Sequence, residues 1–246
     1  MVQVFDRSYK ACLIGLLVWI IGSTTNPVKA ARPFVTDDAR LTQAHSCQVE
    51  SWSRRYKSST EFWALPACNP FGNLEFTLGT GRAFYDQFDT TDYVVQAKTL
   101  FKEISPGGIG WGIAVGKIAH PAVNPGPNLL GNQYAYFPIS LATLDTRQVV
   151  HINLGALRDR AKAETRGTWG FGLEHNQTDR IQLIAETFGD HVSSPYFQIG
   201  VRYAAIRNLL QIDTTLGGQS SGLASGRWFS IGLRLTPESI FRSPSN

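Results

Sequence analysis

Six ionisable residues share a spacing that matters only if a sheet gathers them on one face. Glu75, Lys98, Glu186, Arg202, Asp213 and Arg234 each fall on the non-apolar side of a segment in which apolar and polar residues alternate. The last four lie on successive segments and alternate in sign. Opposite charges on neighbouring strands attract across the ladder, and facing hydrocarbon they are costly. Two readings stay open for them: they line a pore and set its selectivity, or they fill the interior with ion pairs that only stabilise it.

Other reactive types are sparse. Cys47 and Cys68 stand symmetrically about a hairpin tip near Lys57 and Ser58. Directly opposed cysteines meet disulfide geometry, and an exported chain leaves the reducing compartment. A structural disulfide is therefore expected, two free buried thiols being the alternative. His45, His120, His151, His175 and His191 are scattered. No metal-ligand spacing, phosphate-cradling glycine loop or nucleophile motif surrounds them, so no cofactor, no metal and no enzyme activity is expected. A Ser-His pair built on His151 with an inward hydroxyl is the one hydrolytic arrangement available.

The elements that position these residues begin after an export signal. Arg7 and Lys10 precede an apolar run at 11–22, followed by a small-residue site ending at Ala30. The run is too short to span a bilayer, which takes about 20 residues in a helix. Residues 1–30 read as a cleaved signal peptide, 31–45 as an aperiodic periplasmic lead-in, 46–236 as the folded domain and 237–246 as a tail. Three of the 23 Lys and Arg and one of the 19 Asp and Glu precede residue 31, so the remainder is close to neutral. Its basic residues are dispersed, which argues against nucleic-acid binding.

Period-two alternation then recurs through the chain. Trp169, Phe171 and Leu173 oppose Gly170, Gly172 and Glu174; Phe197, Ile199, Val201 and Tyr203 oppose Gln198, Gly200 and Arg202. Twelve strands are predicted, at 46–54, 61–68, 73–82, 91–103, 109–118, 133–142, 148–156, 165–174, 179–188, 195–204, 208–216 and 227–236. Connections alternate short and mostly longer, the pattern of periplasmic turns and outer loops. The predicted fold is all-β: an antiparallel transmembrane β-barrel of about twelve strands, with the apolar side chains on lipid and glycines and charges inside. Mid-strand glycines suit a crowded lumen better than a wet surface. Trp52, Trp63, Tyr93, Tyr134, Tyr136, Trp169, Tyr203 and Trp228 are candidates for an interfacial aromatic girdle, simple core aromatics being the alternative for each.

The strand motifs NLEFTLGTGRAF (73–84), GWGIAVGK (110–117), VHINLGA (150–156), PYFQIGVRYAA (195–205) and WFSIGLRLTP (228–237) carry a resemblance. Together they resemble proteobacterial outer-membrane barrels, nearest to the transporter family associated with meta-pathway phenol degradation. The resemblance covers most of the chain after residue 45. It implies an outer-membrane channel for small, aromatic or hydrophobic solutes, with membrane lipid, the barrel assembly machinery and a small-molecule solute as partners. Such barrels commonly end on an aromatic residue, whereas Leu235 closes the last segment here. Two rival expectations are a structural or adhesive barrel that makes contacts through loops 83–90 and 119–132, and an outer-membrane lipid hydrolase using His151.

Overall fold

A computed structural model describes residues 35–119, 133–159, 162–222 and 226–237. The strands are β1 (Ser46–Tyr56), β2 (Ser59–Asn69), β3 (Leu74–Tyr85), β4 (Asp89–Lys102), β5 (Ile109–Ala119) and β6 (Gln133–Ala142), then β7 (Gln148–Asp159), β8 (Glu164–Asn176), β9 (Ile181–Asp190), β10 (Tyr196–Ile206), β11 (Leu210–Gln219) and β12 (Trp228–Leu235). Every strand pairs antiparallel with its sequence neighbour. β1 closes on β12 from Val49↔Leu235 to Tyr56↔Trp228, leaving no free sheet edge.

Alternation sets the two faces. Leu78, Val95, Ile199 and Leu216 are each more than half exposed, while Glu75, Lys98, Gln198, Arg202 and Ser230 are buried. An isolated sheet in water would bury the first set and wet the second. The inversion holds all around the barrel, so the outward face is built for hydrocarbon. Mid-strand glycines admit bulk from their neighbours: a Cβ at Gly116 would enter the Tyr134 ring, and one at Gly170 would meet Thr36.

The strands run further than their hydrophobic pattern. β3 continues to Tyr85 and β4 starts at Asp89, so the expected loop 83–90 reduces to residues 86–88. The hairpin keeps its ladder because main-chain pairing does not require apolar side chains. The expected loop asymmetry survives mainly in the connections 120–132 and 220–227. Residues 120–132, 1–34 and 238–246 lie outside the described residues, and with them the signal peptide, most of loop 119–132 and nearly all of the tail. At the rim where β1 begins and β12 ends, the turns are stapled locally. In the β6–β7 turn the Asp145 carboxylate accepts from the Thr143 hydroxyl (2.6 Å) and from the Arg147 N–H (3.1 Å). These bonds, the Thr143 hydroxyl foremost, hold Asp145 below the usual carboxylate range.

Candidate functional site

Residues 35–44, expected outside the barrel, run up the inside of it. From the N-terminal rim at Ser46 the chain turns into the lumen, and the lumen satisfies its backbone. Glu75 on β3 accepts the Thr42 N–H at 2.6 Å, Ser140 on β6 accepts Ala39 N–H at 2.8 Å, and Glu186 on β9 accepts Thr36 and Val35 N–H at 2.8 and 2.9 Å. Asn69 on β2 donates to the Thr42 carbonyl at 2.8 Å and also accepts the N–H of Gly72, whose φ of 93° makes the β2–β3 turn. Charged side chains add to this. Lys98 Nζ lies 3.0 Å from Asp37, Tyr136 donates to the same carboxylate at 2.7 Å, and Arg40 Nη1 lies 3.1 Å from Glu174. The physical reason is direct: a peptide without strand partners has polar groups to satisfy, and the lumen is lined with acceptors.

All six charges singled out in the sequence are buried and line the interior. Some of their partners follow the cross-strand register, as Gln182 does for Arg202, Gln198 for Glu186 and Glu50 for Arg234, and others do not. Glu75 and Lys98 are register partners, and so are Arg202 and Asp213. Glu75 and Lys98 instead turn to the N-terminal segment. Arg202 donates to Gln182 (2.5 Å) and to Glu174 (3.2 Å). Glu186 takes Gln198 beside the two plug N–H groups. Arg234 donates to Gln48 through Nε (3.0 Å) and lies 3.9 Å from Glu50. Long side chains choose the best acceptor in reach, and the inserted segment supplies or competes for it.

The Ser-His pair considered on His151 has its inward hydroxyl in Ser140, and Glu174, not singled out in the sequence, extends it into a row. Ser140 and His151 are register partners on β6 and β7, with Ser140 Oγ 2.8 Å from His151 Nδ1. His151 Nε2 lies 3.5 Å from Glu174 Oε2. All three side chains are fully buried. The types are those of a hydrolytic triad, but Ser140 Oγ is already engaged by the Ala39 N–H and Glu174 by Arg40 and Arg202. The signal was present: Ser140 has inward parity on its strand, directly across from His151.

Toward the opposite rim the lumen is open. An open cavity, spanning about 1680 Å³ of non-atom space that includes solvent at its mouth, is lined mainly by β1 to β4 and by residues 35–42, with His151, Glu174 and Arg234 at its edge. Trp52 and Trp63, register partners, stack in its wall with centroids 5.8 Å apart. Acidic side chains prevail in the lining. Asp37, Asp38, Glu50, Glu61, Glu75, Asp92 and Glu174 face Arg40, Arg54, Lys98 and Arg234. Across the barrel, Phe188, Tyr196 and Trp228 pack together and fill the space. The girdle expectation needs correction accordingly. Tyr134, Tyr136 and Trp228 are buried inside, Trp52 and Trp63 pack against that inner cluster, and Tyr93, Trp169 and Tyr203 face outward. Strand parity, not nearness to a strand end, decides which side an aromatic faces.

Cys47 and Cys68 are register partners at the N-terminal rim, their sulfurs 2.04 Å apart in a disulfide. Both have outward parity, so the bond clips the first hairpin from outside the lumen.

A closed antiparallel barrel with an apolar exterior and a charged interior is a transmembrane β-barrel. The family model described as "Uncharacterised conserved protein UCP029691" matches residues 18–236, and the chain belongs to that family. That description differs from the meta-pathway phenol transporters which the strand motifs resemble. No curated protein matches the chain. Among solved structures, a KdgM porin is similar at a TM-score of 0.58 and 10% identity, covering 78% of this chain and 99% of that one. A KdgM porin in complex with disordered oligogalacturonate gives 0.59 and 9%, with 78% and 99% covered. A NanC porin gives 0.52 and 10%, with 78% and 100% covered. At these identities the likeness is one of fold.

Proposed function

We propose that the protein is a channel of the bacterial outer membrane, held shut by its own N-terminal segment and favouring cationic and neutral small solutes over anions. The observation that carries this reading is the placement of residues 35–42 across the lumen, bonded to strands on opposite sides of the barrel. With the N-terminal rim facing the periplasm, the plug closes the periplasmic half and the vestibule opens outward. A segment held by hydrogen bonds and ion pairs is removable, because its groups exchange those partners for water at modest net cost. The acidic balance of the lining supports the preference for cations. It also separates this lumen from one suited to a polyanion such as the oligogalacturonate of the KdgM complex.

The test is planar-bilayer conductance of two refolded chains, residues 31–246 and residues 46–246. The longer chain is expected to be mostly closed. The shorter chain is expected to conduct at least tenfold more, with a reversal potential on the cation side in a salt gradient. A silent short chain defeats the channel, and anion preference defeats the proposed selectivity.

A hydrolytic reading has one observation in its favour, the Ser140–His151–Glu174 row. Its serine is shielded by the plug, and a nucleophile needs a place for substrate. Ester hydrolysis by the 46–246 chain, lost in Ser140→Ala, would establish it.

A further inference from the structure

We propose that the vestibule is a binding site for organic cations, specifically amines carried on a flat aromatic body. This deepens the channel reading and rests on it, since it names the solute the channel admits.

Shape comes first. The β3 and β4 side of the cavity carries little bulk at Gly81, Ala83 and Thr90. Trp63 lies over Gly81, where a Cβ would enter its ring, and the Trp52–Trp63 stack extends that surface along the wall. The two indoles thus form one aromatic wall of the cavity.

Charge comes second. Seven carboxylates line the cavity against four Lys and Arg side chains; Asp37, Asp38, Glu75 and Glu174 are bonded to Lys98, Arg40 and the Thr42 N–H, and the other three are Glu50, Glu61 and Asp92. Glu61 and Asp92 stand on the same wall as the indoles. Arg54, the cation nearest them in register, is only 8% exposed and has its guanidinium 5.2 Å from the Trp228 ring centroid. Its Nε is buried, so the guanidinium is held against the wall rather than out in the cavity.

These features select a class. An aromatic face attracts a cation, and an enclosed cleft with excess carboxylate strengthens that attraction and repels anions. A neutral aromatic body gains the stacking alone. An anion of the same body gains stacking and loses more to repulsion. An arylalkyl ammonium ion gains both terms.

Three probes with one body decide the matter: phenethylammonium, 2-phenylethanol and phenylacetate, titrated into the full chain in detergent and read by tryptophan emission. The amine is expected to bind saturably, about tenfold more tightly than either partner, an increment equal to one well-placed cation–π or ion-pair contact. Glu61→Gln with Asp92→Asn should bring the three within about threefold of one another. Equal binding of the three by the unmodified chain, or no saturable binding of the amine, overturns the proposal without any variant having to fold. Conduction by the 46–246 chain without amine binding would sink this site and leave the channel. Amine binding to a chain that never conducts would do the reverse.

Discussion

The two halves of the lumen are built from the same alternating strands and solve opposite problems. Near the N-terminal rim the interior is packed with charge, and three of its carboxylates are engaged by the inserted segment: Glu75 by Thr42, Glu186 by Val35 and Thr36, Glu174 by Arg40. Toward the other rim, along β1 to β4, the interior is aromatic and open. Packing density does not follow from strand number. It follows from whether a further piece of chain enters, and that piece goes where acceptors are dense. The charged half is thus a lock, and the aromatic half is a receptacle above it.

The largest expected break in this contrast is at Glu186. One carboxylate holds two plug N–H groups, each bond to a charged acceptor contributing about 1.5–3 kcal/mol. Glu186→Ala should move the closed–open balance toward open by about a hundredfold, taking roughly 3 kcal/mol for the pair. Single-channel recordings of the 31–246 chain read this as open probability. An unchanged open probability would mean that residues 35 and 36 do not hold the gate. Ser140→Ala removes a single neutral bond to Ala39 N–H and should shift the same balance about fivefold, near 1 kcal/mol. If the row beneath the plug is only a latch, the effect ends there and no ester hydrolysis is lost.

How much of this was legible in the sequence divides along the same line. The barrel was legible because lipid imposes period two on every strand, and the parity of Glu75, Lys98, Glu186, Arg202, Asp213 and Arg234 was enough to place them inside. The plug was not legible. Residues 35–44 have no period, since a segment satisfied side by side from several strands repeats nothing along its own length. The partners of Glu75 and Lys98 were hidden for the same reason. Register alone pairs Glu75 with Lys98, but the structure gives both to a segment that register does not describe. The inward aromatics were misjudged through a different error, reading nearness to a strand end as exposure at an interface.

Two glycines make the smallest and most selective comparison, because the same one-carbon change acts once on each half. A Cβ at Gly170 would come to 2.5 Å of Thr36 Oγ1, and one at Gly81 to 2.5 Å of the Trp63 ring. Neither glycine needs positive φ, so alanine is tolerated by the backbone and the strain falls on the neighbour. Gly170→Ala pushes on the plug, whose threonine side chain has room to turn only at the expense of its seat beside Glu186. Open probability should rise about two- to threefold, the effect of a few tenths of a kcal/mol to ~0.6 kcal/mol of residual strain. Gly81→Ala tilts an indole in the receptacle and touches nothing in residues 35–42, so it should leave open probability unchanged while shifting tryptophan emission and weakening phenethylammonium binding. Were Gly81→Ala to open the channel as readily as Gly170→Ala, lock and receptacle would be mechanically one unit, and binding in the vestibule would itself be felt by the plug.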